Sequence, residues 1–279
     1  MRTADAVRLV ALAAIWGASF LFMRIAAPAI GPLATAELRM LVAGGALAAY
    51  FAFIGFDPQW RRWWRYYLVI GMLNSAGPFL LYAYSALKLS AGLMSVINAT
   101  SPMWGAVLSA VVLRERLSAR RAAGLVLGVG GVALVSGAQA AGAWLAIVAC
   151  LGAAFCYGLA GVVLRRWARE TTSRGMAVGT QMMAALVLLP LLLVAPPGEP
   201  SPGVIASVLA LGLVCGAVGY VMYFRLITDI GPTGALTVTY LIPIFGVLWG
   251  ALVLGEPLTL ATLAGALIVV AGTVLVLRG

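Results

Sequence analysis

Ten long apolar runs, separated by short stretches of arginine, proline, glycine and acidic residues, make up most of the chain. They lie at about 6–26, 34–55, 66–87, 91–113, 119–137, 142–164, 174–195, 203–227, 232–254 and 259–277. Each is close to the roughly 20 residues that an α-helix needs to cross the hydrocarbon core of a bilayer. Runs such as 125–135 are continuously apolar, whereas the strands of a membrane barrel alternate. The pattern predicts an all-α integral membrane protein with ten transmembrane helices.

The composition supports this fold class and excludes several others. Of the 279 residues, 63% are hydrophobic and only 9% are charged, and the mean hydropathy is +1.07. A soluble domain carries about 25% charged residues. We therefore exclude a soluble domain, a disordered chain and a nucleic-acid-binding protein. The expected partners are a small-molecule substrate and membrane lipid, and the oligomeric state stays open.

The basic residues carry a topological signal. The net charge is +10, but the arginines lie between the apolar runs and form no continuous surface stripe. If the N-terminus is cytoplasmic, every Lys and Arg except Arg24, Arg39 and Lys88 lies at a cytoplasmic helix end. Cytoplasmic loops of membrane proteins are enriched in these residues. The pattern predicts a multi-pass protein of the bacterial inner membrane with both termini in the cytoplasm.

The chain offers few ligands for a metal or cofactor. It contains no histidine and three cysteines, Cys150, Cys156 and Cys215, all inside apolar runs. A structural zinc site takes four Cys or His ligands. We expect no metal and no cofactor. The same absence disfavours an intramembrane enzyme, which needs a nucleophile with a base or a cluster of metal ligands.

The two halves of the chain match one another. When residues 68–137 are compared, without a gap, with the residues 141 positions later, identical residues coincide: Tyr82 with Tyr223, Pro102 with Pro243, and Glu115 with Glu256. This predicts two five-helix repeats, residues 1–139 and 140–279. Because five is odd, the second repeat must cross the membrane in the opposite direction. Inverted repeats of this kind are typical of secondary transporters that bind substrate between the halves.

These residues resemble the EamA-type ten-helix exporters of the drug/metabolite transporter superfamily. The resemblance rests on Trp16-Gly17-x-Ser19-Phe20, on the two matched prolines and on the two glutamate segments, and it covers essentially the whole chain. It implies a pore formed by helices one, three, four, six, eight and nine, with helices five and ten packed outside. Within the superfamily the chain is most similar to bacterial exporters of aromatic amino acids and metabolites.

Pro102 and Pro243 lie in the middle of the fourth and ninth runs. A proline inside a helix removes one backbone hydrogen bond and kinks the helix. We interpret the pair as hinges, with a static kink as the alternative, since proline is common in membrane helices.

Acidic residues fall mainly near the ends of the runs. Glu115 and Glu256 each precede a hydroxyl residue that can begin the next helix, and their carboxylates are expected beside that helix's positive end. Glu37 and Arg39 lie near the outer end of the second run, two residues apart and therefore not on one helix face. No acidic residue is placed mid-membrane as a proton carrier by this interpretation, and facilitated transport is favoured over proton coupling.

Polar and aromatic side chains within the expected pore helices form the candidate site. An amide such as Asn98 requires a partner in hydrocarbon and is expected to face protein or water. The predicted substrate-binding residues are Trp16, Ser19, Phe20, Asn74, Tyr82, Ser95, Asn98, Ser101, Trp104, Tyr157, Tyr220, Tyr223 and Tyr240.

An aromatic, hydroxyl-rich site without fixed charge suits a zwitterion. The sequence thus favours a secondary transporter that exports small amphipathic metabolites by alternating access, with aromatic or other neutral amino acids as the expected substrates. A proton-coupled exporter of drugs or cationic compounds is the alternative, and it predicts a carboxylate within the membrane. A structural or sensory membrane protein is disfavoured, because an inverted repeat provides two exchangeable states.

Overall fold

The structure is a computed structural model that describes residues 2–137, 141–167 and 171–278. Over these residues the chain forms ten helices long and apolar enough to cross a membrane. They are α1 Thr3–Ile30, α2 Pro32–Phe53, α3 Trp60–Ser85, α4 Ala91–Val112, α5 Ala119–Ser136, α6 Trp144–Arg166, α7 Ser173–Leu193, α8 Pro202–Gly231, α9 Gly234–Leu254 and α10 Leu260–Arg278. The prediction of an all-α protein with ten membrane helices is confirmed. The predicted boundary between residues 139 and 140 lies outside the described residues.

The ends of the helices gather into two sets. Side-chain contacts join Arg8 to Asp229 at one end, and Arg165 to Glu115 at the same end. We call this the arginine-rich end. At the other end, here the far end, α1 passes into α2 at Gly31, where φ is +84° and a glycine is required.

Two helices contain widened, π-helical turns at corresponding positions. In α3 the segment is Met72–Ala76, and in α8 it is Ala210–Val218. Residues 72 and 213 are 141 positions apart, so the two segments overlap under the sequence offset. Such turns inside α-helices often occur at functional sites. Here they lie in the middle of the two helices that carry Asn74 and Tyr220.

The helix α4 is broken in the middle. It consists of Ala91–Asn98 and Ser101–Val112, and Pro102 stands in the first turn of the second segment. Its missing N–H would have bonded the carbonyl of Asn98. The hydroxyl of Ser101 donates to that carbonyl at 2.6 Å, and Thr273 of α10 donates to the carbonyl of Ala99 at 2.8 Å. The break is thus satisfied by hydroxyl groups, as the absence of water in a bilayer demands.

The two segments of α4 pack against different helices. Ala91–Asn98, at the far end, packs against the α9 segment Val238–Leu254, with Gly92 on Val247. Ser101–Val112, toward the arginine-rich end, packs against α6. The contact between α4 and α9 is therefore made at the far end.

The helices α5 and α10 form a close pair through glycines. Gly124 lies against the carbonyl of Gly272, and Gly131 lies against Gly265 and Val269. Small residues let helix backbones approach this closely. The outer face of the pair is apolar, with Val126 72% exposed, as expected for a surface in contact with lipid.

Candidate substrate site

A group of aromatic side chains occupies the middle of the bundle, at the junction of helices from both halves of the chain. We call it the aromatic cluster. Its members are Trp16 and Phe20 of α1, Tyr82 of α3, Tyr157 of α6, and Tyr220 and Tyr223 of α8.

One side of the aromatic cluster is built on Tyr82, which is 1% exposed. Its ring meets Phe20 edge to face at 5.4 Å between centroids and lies 6.1 Å from the ring of Tyr157. Its hydroxyl donates to Oδ1 of Asn98 at 2.8 Å. The amide of Asn98 is therefore held by α3 at the position where α4 is broken. This arrangement places a hydrogen-bonding amide beside three aromatic rings.

The other side of the aromatic cluster is built on Trp16. Its ring lies 5.2 Å from Tyr223 and 6.3 Å from Tyr220. Its indole N–H donates to the carbonyl of Cys215, in the π-helical segment of α8, at 3.1 Å. The side chains of Asn74, Ser75 and Gln181 lie near the Tyr220 hydroxyl. Aromatic faces with a few convergent polar groups are typical of small-molecule sites.

An arginine lies between these two sides. Arg39 of α2 is 6% exposed, and its guanidinium carbon stands 3.7 Å above the ring centre of Phe79. Tyr157, Tyr220 and Cys215 are its ionisable neighbours. Arg39 is seven residues inside α2, about 10 Å along the helix from Pro32. Arg39 was expected near the outer end of its helix, and neither Arg39 nor Gln181 is among the predicted site residues.

Other predicted residues are placed elsewhere or bond within their own helix. Ser95 is buried against Gly246, and its hydroxyl donates to the carbonyl of Gly92 at 2.7 Å. Trp104 pairs with Phe155 rather than with the aromatic cluster. Tyr240 has Arg278 of α10 as its charged neighbour. Ser95 therefore contributes to the contact between α4 and α9. Whether the thirteen predicted residues bind substrate stays a prediction.

Two further predicted hydroxyls have local partners. Ser19 donates to the carbonyl of Trp16 at 2.7 Å, and Ser101 donates to Asn98 as described above. Both hydroxyls donate their hydrogen bonds to backbone carbonyls of the same helix. They shape the helices that bear Trp16 and Asn98.

Glu37 occupies an unusual position in α2. Its side chain is fully buried, and within the described residues neither carboxylate oxygen has a hydrogen-bond partner. It forms no ion pair with Arg39 among the described residues, as the two-residue spacing predicts. Glu37 was expected near a helix end, and its carboxylate lies inside the bundle.

Comparison with known proteins decides the family. The model of the EamA-like transporter family matches residues 6–137 and, a second time, residues 144–278. The chain belongs to the EamA-like transporter family.

Relatives in this family are described as transporters. The uncharacterized transporter YvbV of Bacillus subtilis is 28% identical over 99% of this chain and 92% of its own length. A probable amino-acid metabolite efflux pump of Salmonella typhimurium is 26% identical over 92% of this chain and 89% of its own length. A crystal structure with 17% identity superimposes with a TM-score of 0.69, covering 99% of this chain and 96% of that one. This EamA-like protein is therefore a multi-pass membrane transporter.

At the far end of this EamA-like transporter, Glu256 bridges to α4. Its carboxylate accepts from the backbone N–H groups of Ala91 at 2.8 Å and Gly92 at 3.2 Å, which begin the first segment of α4. Arg24 of α1 stands 3.8 Å from the same carboxylate and donates to the carbonyl of Ala86 at 2.8 Å. A carboxylate is favourable at a helix N-terminus because the N–H groups there have no intrahelical partner.

The expectation that Glu256 would lie beside the helix that follows it was therefore wrong. The carboxylate reaches across to α4, a helix of the other half of the chain, instead of binding the N-terminus of α10. Gly250 leaves room for it, since a side chain there would collide with the carboxylate. Its capping function is as expected, but the capped helix is different.

The corresponding residue at the arginine-rich end, Glu115, has other partners. It follows the same backbone turn, because Arg114 has φ +57° where Gly255 has +66°. Its carboxylate lies 3.2 Å from Arg165 of α6 and 3.9 Å from Arg121 of α5. Arg165 also contacts the hydroxyl of Ser109, which occupies the position equivalent to Gly250. Glu115 was likewise expected at the start of the next helix, and it lies among arginines, one of which, Arg121, belongs to the first turn of α5.

A crevice opens at the arginine-rich end beside the start of α9. It has a volume of about 600 Å³ and is lined by Arg2, Asp5, Leu9, Asp229, Ile230, Gly234 and Thr237. The two ends of the bundle thus differ. The far end is bridged by a carboxylate on a helix N-terminus, while the arginine-rich end has a crevice at the equivalent helix.

Proposed function

We propose that this transporter exports small amphipathic metabolites, with aromatic and other neutral amino acids as the substrate class. The observation that carries the proposal is the aromatic cluster, which combines stacked rings with the Asn98 amide held by Tyr82 at 2.8 Å. Aromatic side chains of a substrate can stack on such rings, and its polar groups can use the amide and the tyrosine hydroxyls. The name of the Salmonella relative, an amino-acid metabolite efflux pump, supports the same class.

We propose alternating access as the mechanism, with residues 1–139 and 140–279 as inverted repeats. The difference between the two ends supports it, because a two-state transporter closes one end at a time. In the opposite state, Glu115 would leave Arg165 and bind the N-terminal N–H groups of α9, as Glu256 binds those of α4. Pro102 and Pro243 are the proposed hinges. The break in α4 lies directly before Pro102, whereas Val238–Leu254 continues as a helix through Pro243.

The proposed location is the bacterial inner membrane, with both chain ends in the cytoplasm. The arginine-rich end is then cytoplasmic, in accordance with the enrichment of arginine in cytoplasmic loops. The crevice beside α9 would face the cytoplasm, from which an exporter takes up its substrate.

We propose facilitated transport, with proton coupling as the alternative that one residue would support. Glu37 is a buried carboxylate without a hydrogen-bond partner in the described residues, and such groups in membrane helices often carry protons. Its counterpart 141 positions later is Val178, so only one half of the chain has it. A coupled drug exporter would depend on this carboxylate, whereas a facilitator would not.

The test is counterflow of labelled phenylalanine, threonine and methionine into liposomes that contain the purified protein, with and without an imposed pH gradient. We expect counterflow that ignores the gradient, in the wild type and in Glu37→Gln alike. Accumulation driven by the gradient and lost in Glu37→Gln would overturn facilitation and assign the proton site. Absence of flux for all three amino acids would overturn the proposed substrate class. An intramembrane enzyme, the different class weighed above, would convert the labelled compounds rather than exchange them.

A further inference from the structure

We propose that Arg39 binds the carboxylate of the transported molecule, so that the substrates of this protein are organic acids, amino acids among them. The inference rests on the proposed function and adds the group by which the substrate is recognised. It differs from the expectation of a site without fixed charge.

The guanidinium of Arg39 is buried, and among the described residues two of its nitrogen atoms have no hydrogen-bond acceptor. Arg39 is 6% exposed, its Nε and Nη1 atoms have no hydrogen-bond partner, and no carboxylate of the described residues lies within ion-pairing distance of it. A charge buried without a partner is costly, and charged residues inside membrane helices are retained mainly where they serve a binding or transport pathway. Within the described residues the Nε and Nη1 donors of Arg39 therefore lack an acceptor, and the guanidinium has an aromatic ring as its contact.

The guanidinium of Arg39 is oriented by the ring of Phe79. Phe79 covers one face of the guanidinium, with 3.7 Å between the guanidinium carbon and the ring centre. Stacking of this kind uses the face of the planar group and leaves the N–H donors at its edge available. Those donors form a rigid fork that matches the two oxygens of a carboxylate. The ring thus fixes the orientation of the fork without satisfying it.

Arg39 lies beside the aromatic cluster. Tyr157 and Tyr220, which neighbour Arg39, are members of the aromatic cluster, and Cys215 beside it accepts from Trp16 through its carbonyl. A ligand whose carboxylate binds Arg39 can therefore place an attached side chain against Tyr157, Tyr220 or Trp16. Asn74 and Gln181, which lie near the Tyr220 hydroxyl, offer carbonyl oxygens to a ligand ammonium group.

The position that corresponds to Arg39 in the second half of the chain carries no charge. Residue 180, which is 141 positions after Arg39, is a threonine. The two residues have equivalent packing positions, since the carbonyl of Thr180 lies against Gly71 of α3 and the carbonyl of Arg39 lies against Gly212 of α8. Thr180 shows that this contact does not require an arginine. This backbone contact therefore does not account for the charge at Arg39.

The test compares phenylalanine with two analogues that lack the carboxylate, phenylalaninamide and phenethylamine. Binding to the purified protein is measured by competition with labelled phenylalanine, and transport is measured by counterflow. For the wild type we expect binding of phenylalanine at least tenfold tighter than of either analogue. For Arg39→Gln we expect that preference to disappear, with affinity for phenylalanine lower by roughly 10- to 100-fold, the effect of losing hydrogen bonds to a charged group.

Two further variants control the measurement. Arg120→Gln removes an exposed arginine at the arginine-rich end and is expected to behave like the wild type. Arg39→Lys keeps the charge but not the fork, and we expect an intermediate affinity. Melting temperature and monodispersity of each variant show that it has folded, and the analogue preference of the wild type tests the inference even without a folded Arg39→Gln.

The outcomes separate the inference from the function on which it rests. Equal binding of acid, amide and amine by the wild type would overturn the inference and leave a transporter of amphipathic compounds. A preference for the acid that survives in Arg39→Gln would overturn the role of Arg39 alone. Absence of binding and flux for all three compounds would overturn the proposed substrate class, and the inference with it.

Discussion

The contact between Glu256 and α4 makes a quantitative prediction. The carboxylate satisfies two N–H groups of the first turn of α4, at 2.8 Å and 3.2 Å, and the hydroxyl of Ser90 accepts the third, from Leu93, at 3.2 Å. A hydrogen bond to a charged group contributes about 1.5–3 kcal/mol, and a partly buried charge at a helix end contributes up to about 2 kcal/mol. These terms overlap, so we take roughly 2–2.8 kcal/mol for this contact at the far end. At about 1.4 kcal/mol per factor of ten, this is roughly 30- to 100-fold in the equilibrium between closed and open.

Hydrogen exchange of the Ala91 and Gly92 amides measures this contact directly. The first N–H groups of a helix have no intrahelical acceptor, so their protection depends on Glu256. In Glu256→Gln we expect exchange of these amides to accelerate by roughly 30- to 100-fold, with a lower counterflow rate. Glu115→Gln is the matched control, because Glu115 binds arginine side chains and no helix N-terminus. Unchanged exchange in Glu256→Gln would refute the reasoning.

Two further predictions concern the candidate site and the hinges. Tyr82→Phe keeps the contact with Phe20 but leaves Oδ1 of Asn98 without its donor, at a cost of about 1–3 kcal/mol. We therefore expect counterflow to fall about tenfold. The control is Tyr84→Phe, a residue of the same helix that is 42% exposed, and it should match the wild type. Pro102→Ala and Pro243→Ala are expected to lower turnover with little change in substrate affinity, measured by counterflow and equilibrium binding. A change in affinity alone would contradict the hinges, and an unchanged rate in Tyr82→Phe would remove Asn98 from the site.

The helices could be predicted from sequence because a bilayer demands long apolar runs. Each predicted run overlaps one observed helix, but several ends differ. The first run was expected at about 6–26, whereas α1 extends over Thr3–Ile30 and includes Pro28. A proline near the end of a helix loses one hydrogen bond, which the surrounding bundle tolerates. Hydropathy alone therefore places a span and not its terminal residues.

The site could be predicted only in part, because hydropathy and spacing do not determine which faces meet. Tyr82 and Asn98 were expected in the site and are in contact there. Ser95, which is three residues before Asn98 in α4, instead packs on Gly246. Periodicity identifies a stripe along α4, but the break at Ala99–Thr100 sends its two parts to different neighbours. A stripe drawn through the break could not show this.

Arg39 was missed because a charged residue was taken as a marker of a helix end. Its burial depends on Phe79 of α3, which lies 40 residues later in the sequence, and no local pattern indicates this pair. One signal was available. The comparison of the two halves sets Arg39 against Thr180, and a charge present in only one of two matched helices is a candidate for function rather than packing.

The bond from the Trp16 indole to the carbonyl of Cys215 has a consequence for how a ligand would be sensed. The acceptor belongs to the widened segment Ala210–Val218, so the geometry of α8 depends on a side chain of α1. A ligand that stacks on Trp16 and turns its ring would release that carbonyl and change the winding of α8. The rotation would be passed along the helix toward Asp229 and the crevice at the arginine-rich end. In this protein α1 and the widened turn of α8 are joined at one residue by two bonds, because the Cys215 thiol also donates to the carbonyl of Ile15 at 3.2 Å.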